Sequence, residues 1–389
     1  MLFSIVTPSY KQLDWLRLCV ASVRDQVTAG DGGMRDNPEF QIPQLMVEHI
    51  IQDAGTSGIE DFAREIGADF YRGGQLVFSG KNGDLECEPI LARPTATGSP
   101  KGEIASQIRS AELSEETSHS KSRIPSLKSA PSAKSSSPIT NSKFQISNYS
   151  LAIYSERDKG MYDAVNRGFA KATGDLLAYL NCDEQYLPGA LRSVAERFET
   201  DKDLEMLFAD AVVVDGEGNF ICFRKAQVPF RDQLWFRMPV LSCATFAKRT
   251  SFTEKHVRLD ETKKVLGDVI WIMRAQQAEV KMGVLRRFTS AFTETEQNLG
   301  VGGIADAEFL ELRSRMPAHV RRFLPVYEVF HKVRSLLAGT RSHPPFSYEI
   351  FLRGRAQARQ CFDVQNPTAV WRGRTGIDKA VVAGPGGTL

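Results

Sequence analysis

Four short apolar runs, each ending in polar or acidic residues and each followed by residues repeating at helical spacing, constrain this chain more than any other feature. LFSIVT (2–7), LMVEHIIQ (45–52), LAIYSE (151–156) and LLAYLN (176–181) have the length and near-continuous apolarity of strands covered on both faces. After the first, Leu13, Leu16, Val20 and Val23 recur at spacings of three and four, which is one face of a helix. After the second, a helix is expected over 59–66. After the third, Met161, Ala164, Val165, Gly168, Phe169 and Ala172 trace an apolar stripe, leaving Tyr162 and Asn166 together on another face. After the fourth, Pro188 suits the first turn of a helix with Leu191, Val194, Ala195 and Phe198 inward. This alternation predicts an α/β fold: a Rossmann-like, mostly parallel central sheet flanked by helices.

The alternation is interrupted. Residues 73–147 show no sustained period, and 117–143 are dominated by Ser with Lys, Pro and Ala. Such a composition buries too little apolar surface to offset chain entropy, so 73–147 is expected to be a disordered, solvated insertion. Residues 1–72 and 148–300 then form one domain. Within its second half, EMLFADAVVVDGEGNFICFRKA reads as a hairpin around Asp215 to Asn219. A strand CATFAKR, a helix LGDVIWIMRAQQA and a strand VKMGVLRRFTSAFT follow. Residues 301–365 read as a basic, helical C-terminal extension broken at Pro317 and Pro325, and 366–389 as a flexible tail. The Arg and Lys residues after 310 suit a solvated helix face or, as the sharper alternative, a basic face toward acidic lipid.

With 49 Lys and Arg against 47 Asp and Glu, the net charge of +2 gives no large single-sign field, which argues against nucleic acid as a partner. The six cysteines are scattered, with no CxxC pair, as expected of reduced thiols and not of a zinc site or disulfide framework. The segment MLFSIVTPSYKQ lacks a signal-peptide pattern, and no window of about 18 apolar residues occurs. The expected location is cytoplasmic, with a peripheral contact at the inner face of the membrane left open.

In an open parallel sheet, ligands bind beyond the carboxyl ends of the strands. TPSY, DAGTSG, SERDKG and NCDE lie at four such ends. Asp183 and Glu184 stand side by side at the last of them, and two adjacent carboxylates repel unless a cation or hydrogen-bond donors lie nearby. Mg²⁺ or Mn²⁺ offsets that repulsion with only one or two protein oxygens when a diphosphate supplies the others, so a nucleoside diphosphate is the natural ligand. TPSYKQLDW has no glycine for a GxGxxG dinucleotide loop, and no GxxxxGK[ST] phosphate loop is present.

FSIVTPSYKQLDWLRLCVASVRDQ, HIIQDAGTSG, YSERDKGMYDAVNRGFAKATGDLLAYLNCDEQYLPGAL and LGDVIWIMRA, in this order, resemble the family 2 glycosyltransferases of GT-A fold. The resemblance covers roughly 2–66 and 151–290 and is most specific over 153–190. It implies donor-binding roles for Thr7, Pro8 and Tyr10 beside the nucleotide, and for Asp53 at the base or ribose. It implies the same for Asp158, Gly160 and Asn166 at the sugar-nucleotide pocket and for Asn181 in the DXD-like NCD motif. Asp183 is then the metal ligand, Glu184 its neighbour at the metal, and Asp268 in GDVIW the catalytic base. Three departures stand out: Asn181 in place of the motif's first acid, Glu184 where Asp is expected, and Gly267-Asp268 in place of an acidic pair.

The implied activity is inverting, metal-dependent transfer of a sugar from a nucleotide-diphosphate sugar, a UDP-sugar favoured, to a glycan or lipid-linked acceptor in cell-surface polysaccharide biosynthesis. Two alternatives stand beside it. One is a non-catalytic nucleotide-sugar-binding or scaffold protein on a decayed GT-A domain. The other is a nucleotidyltransferase, although the Gly/Arg/Lys-rich first loop expected of that class is missing.

Overall fold

Residues 1–28, 44–80, 148–295 and 303–371 are described by a computed structural model, and all belong to one compact unit. The first stretches form β1 (Leu2–Ser9), α1 (Leu13–Thr28), β2 (Met46–Asp53), α2 (Ile59–Ile66), β3 (Asp69–Arg72) and β4 (Gln75–Phe78). The third stretch begins with β5 (Tyr149–Ser155), α3 (Met161–Lys171), β6 (Leu176–Tyr179), β7 (Glu184–Tyr186) and α4 (Ala190–Thr200). It continues through β8 (Met206–Val214), β9 (Phe220–Arg224), β10 (Thr245–Lys248), α5 (Arg249–Thr253), α6 (Gly267–Gln277) and β11 (Met282–Thr293). The last contains α7 (Gly303–Ser314), α8 (Ala318–Arg322), α9 (Leu324–Leu337), β12 (Phe346–Leu352) and β13 (Arg355–Val364).

The main sheet runs β4-β3-β5-β2-β1-β6-β10-β8-β11-β7, with β9 on β8. β3, β5, β2, β1 and β6 are all parallel, and β10 is antiparallel to both of its neighbours. The expected mostly parallel sheet with flanking helices is present. Its continuous apolar runs have the cause inferred from sequence, which is burial on both faces. Phe3, Ile5, Leu176, Ala178 and Leu180 pack with Val23, Leu191 and Val194 of α1 and α4, while Val6, Leu177 and Tyr179 pack with Val165, Phe169 and Trp271 of α3 and α6. The period of two along each strand thus sorts neighbouring side chains onto opposite helical layers. α3 lies so close to β1 that a Cβ on Gly168 would stand 2.4 Å from Val6 Cγ1, so the glycine sets the helix-to-sheet distance.

Two boundaries differ from the sequence reading. Within 73–80, assigned to the insertion, Gln75–Phe78 form a strand of the sheet. Gly73 and Gly74, at φ 57° and 80°, form the two-residue turn that pairs β4 with β3, and Asp69 Oδ1 accepts the Gly80 N–H at 2.9 Å. The expected disorder of 81–147 falls outside the described residues, as do the tail beyond 371 and Cys87. The helical extension ends at Leu337; 346–364 instead form the antiparallel pair β12–β13. Tyr348, Ile350 and Val364 of that pair pack on Val212, Val214 and Ala291, which a helix of the same sequence could not do with one face. Among the described residues no helix is long and apolar enough to cross a membrane.

Candidate active site

β1 lies between β2 and β6: the chain sets β2, β3 and β5 on one side of β1, then returns to place β6 on the other. The gap beyond the carboxyl ends of β1 and β6 is therefore the switch point of the sheet, where the loops leave in opposite directions. A cavity of about 1590 Å³ opens there. Its lining includes Pro8 to Gln12 after β1, Ala54 after β2, Arg157 to Tyr162 after β5, and Asn181 to Asp183 after β6. Residues from 234–242 on one side, from 264–269 at the start of α6, and from α7 line it too, with Arg224, Phe292 and Trp371.

The NCDE segment does not simply end a strand; it reverses it. Asn181 N–H donates to Glu184 Oε2 at 2.7 Å and Glu184 N–H donates to Asn181 O at 3.0 Å, closing a turn with Cys182 and Asp183 at its tip. Cys182 Sγ–H donates to the Pro8 carbonyl at 3.2 Å, tying this turn to the end of β1. Asp183 faces the cavity, and burial pushes its carboxyl up to about 6. Glu184 begins β7, opposite Phe292 of β11, and is 1% exposed. Burial first, then the Asp183 charge, pushes its carboxyl up to about 8.

Glu184 therefore differs from its sequence assignment as a metal neighbour. The turn sends its side chain into the protein, where it caps a backbone N–H and does not line the cavity. Among the described residues, no group of three or more His, Cys, Asp or Glu is arranged to hold a metal ion. A cation shared with a diphosphate needs fewer protein donors. Asp183 fits that requirement, and Asn181 adds an Oδ1 that is buried without a hydrogen-bond partner.

Across the cavity, Asp158 Oδ1 accepts the Gly160 N–H at 3.0 Å, and burial raises the Asp158 carboxyl above its usual range. Gly160 sits at φ 137°, with Lys264 Nζ 2.8 Å from where its Cβ would be. Lys264 donates instead to the Lys159 carbonyl at 2.6 Å, joining this loop to the segment before α6. Asp268 is the second residue of α6, not its N-cap. Its Oδ1 accepts the Val269 N–H at 2.8 Å and the Tyr162 hydroxyl at 3.3 Å. A Cβ on Gly267 would stand 2.4 Å from the Tyr162 ring, so a side chain at this point would have to displace that ring. Glu308 of α7 accepts the N–H groups of Lys264, Val265 and Leu266 at 2.6, 3.0 and 3.0 Å, holding α7 against the start of α6.

Of the residues singled out by sequence, Pro8, Tyr10, Asp158, Gly160, Asn181, Asp183 and Asp268 line one cavity. Thr7, Asp53 and Asn166 do not. Thr7 Oγ1 lies 2.9 Å from His49 Nε2 within the sheet. Asp53 Oδ2 accepts the N–H groups of Gly55 and Thr56, both at 2.8 Å, and so shapes the loop whose Ala54 reaches the cavity; its Oδ1 is buried without a partner. Asn166 uses both ends of its amide on Leu259, donating to its carbonyl at 3.0 Å and accepting its N–H at 3.2 Å. Lys11, Arg157, Lys159, Arg224, Arg237, Lys264 and Arg313 also line the cavity, an excess of positive charge suited to a diphosphate. No spacing in the sequence announces them, because they come from separate segments.

Residues 141–245 match the sequence profile of Glycosyl transferase family 2. The match takes in about a quarter of the chain. It carries β5, α3, β6 and the Asp183 turn, whereas Asp53 and Asp268 lie outside it. No curated protein sequence matches the chain. Among solved structures, S. aureus TarS 1–349 in complex with UDP-GlcNAc is similar at a TM-score of 0.45 and 12% identity, over 80% of this chain and 64% of that one. The same TarS fragment with UDP gives 0.41 and 12%, over 80% and 64%, and TarS itself gives 0.41 and 12%, over 82% and 44%. The chain thus spans less than two thirds of the length of these structures. The fold of the matched segment rests on its own strand order, not on these likenesses.

Proposed function

We propose that the chain is an inverting glycosyltransferase that moves a sugar from a nucleotide-diphosphate sugar, a UDP-sugar favoured, to a glycan or lipid-linked acceptor in cell-surface polysaccharide assembly. The observation that carries this reading is that Asp183, within the stretch matching family 2, and Asp268, outside it, line one cavity at the switch point of the sheet. Asp183, with Asn181 Oδ1, would hold Mg²⁺ or Mn²⁺, which when bound supplies neutralising charge for the leaving diphosphate. The basic lining positions the same diphosphate electrostatically. Asp268 receives the acceptor hydroxyl proton as the acceptor oxygen attacks the anomeric carbon from the face opposite the leaving group. Its carboxylate is oriented through Oδ1 by Val269 and Tyr162. General base catalysis of this kind contributes about 10²- to 10⁴-fold.

Donor-binding calorimetry with UDP-, GDP- and dTDP-sugars, with and without Mn²⁺ or Mg²⁺, tests the reading; UDP-GlcNAc belongs in the panel. Cation-dependent binding of one donor, lost in Asp183→Ala, is expected. Binding that is indifferent to both the cation and Asp183 would overturn the assigned role of Asp183.

A further inference from the structure

The helix α9 is seated with its polarity reversed. Its inward contacts are made by Tyr327, which stacks on Phe230 with ring centroids 6.0 Å apart, by His331, whose Nδ1 lies 3.0 Å from Gln233 Nε2, and by Ser335, which donates to Gln227 Oε1 at 3.1 Å. Most of its other aliphatic and aromatic residues point away from the protein, although the Phe330 ring also meets Phe230 edge-on with centroids 5.1 Å apart. Val326, Val329, Phe330, Val333, Leu336 and Leu337 recur at helical spacing and are between 49% (Val333) and 83% (Leu337) exposed. Single exposed apolar residues are ordinary, but a continuous stripe along one helix face marks a contact surface.

The charge beside the stripe selects the contact. Between 318 and 342 the acidic residue is Glu328 alone, whereas Arg321, Arg322, Lys332 and Arg341 are exposed. A partner surface that accepts apolar side chains while presenting negative charge at its boundary matches both features, and an anionic lipid surface is of that kind. We infer that α9 docks in the plane of an anionic membrane surface, with the Val326 to Leu337 stripe entering the acyl boundary and the Arg322 and Lys332 side chains on the headgroups. This inference does not depend on sugar transfer, and its test does not read activity.

Cosedimentation of the full chain with vesicles of phosphatidylcholine, or of equimolar phosphatidylcholine and phosphatidylglycerol, tests it. The chain is expected to bind the mixed vesicles, to stay in solution with the neutral ones, and to dissociate as salt is raised. Val329→Ser combined with Leu337→Ser, and separately Arg322→Glu combined with Lys332→Glu, should each weaken partitioning by at least about tenfold. These positions are exposed, so unchanged far-ultraviolet dichroism should accompany the loss. A wild-type chain that binds neither vesicle, or binds both alike, overturns the inference, as does full binding by the Val329→Ser, Leu337→Ser variant. A dimer in sedimentation velocity that dissociates in that variant, without vesicle binding by the wild type, assigns the stripe to a second copy and equally overturns it.

Discussion

The Tyr162 hydroxyl donates its one proton chiefly to the Val265 carbonyl at 2.7 Å and shares it with Asp268 Oδ1 at 3.3 Å, while its ring occupies the space that a side chain at residue 267 would need. One aromatic residue of α3 therefore holds the start of α6 from two sides. Gly267, where the first acid of the expected pair would stand, is the residue whose missing side chain leaves room for that ring.

Gly267→Ala should disturb that packing directly, because the new Cβ would lie 2.4 Å from the Tyr162 ring. Overpacking of this kind costs about 1–3 kcal/mol. Urea denaturation is expected to show a lowered midpoint with an unchanged slope, whereas a wild-type midpoint would mean that α6 and Tyr162 shift apart without strain.

Glu184 gives a sharper distinction. If it caps the turn, Glu184→Gln keeps an oxygen for the Asn181 N–H and should retain stability and donor binding. Glu184→Ala leaves that N–H without its partner, at a cost of about 1–3 kcal/mol. Loss of cation-dependent donor binding in Glu184→Gln, with stability intact, would restore Glu184 as a metal ligand.

His49 makes stability depend on acid. It is fully buried between Thr7 and Tyr149, and burial, followed by the nearby Arg24 charge, lowers its pKa from 6.5 to about 3. Above pH 6.5 both folded and unfolded chains hold it neutral, so it adds no pH dependence. Between 6.5 and 3 the unfolded chain binds the proton and the folded chain does not, so stability falls as pH falls and the loss levels off below 3. The full loss is on the order of several kcal/mol. Denaturation series of the wild type and His49→Gln should show a stability difference that shifts in favour of the variant across this range. A difference independent of pH would contradict the assignment.

The parallel half of the fold was legible because burial on both faces writes continuous apolar runs, and β1, β2, β5 and β6 all carry them. β4 is not evident although Gly73-Gly74 is a hairpin signal, since it is only four residues long and its Leu76 and Val77 are exposed, so its apolar run marks no buried face. β12 does alternate, with Tyr348 and Ile350 buried between exposed Ser347 and Glu349, but it follows three helices whose basic character dominates the local pattern. At the site, motif position singles out Asp183 and Asp268, and the structure sets both on one cavity. The direction of Glu184 was not, because a turn at Cys182-Asp183 reverses the strand between two adjacent acids. Asn166 was placed on the correct helix, but spacing reveals a face and not the Leu259 backbone that the face meets.

The central claim is that Asp268 removes a proton from an acceptor at a site where a nucleotide sugar binds. The most direct measurement compares donor affinity and nucleoside diphosphate release, with an acceptor present, in the wild type and Asp268→Asn. The account predicts unchanged donor affinity with release slowed by about 10²- to 10⁴-fold. Release by Asp268→Asn at the wild-type rate would contradict it.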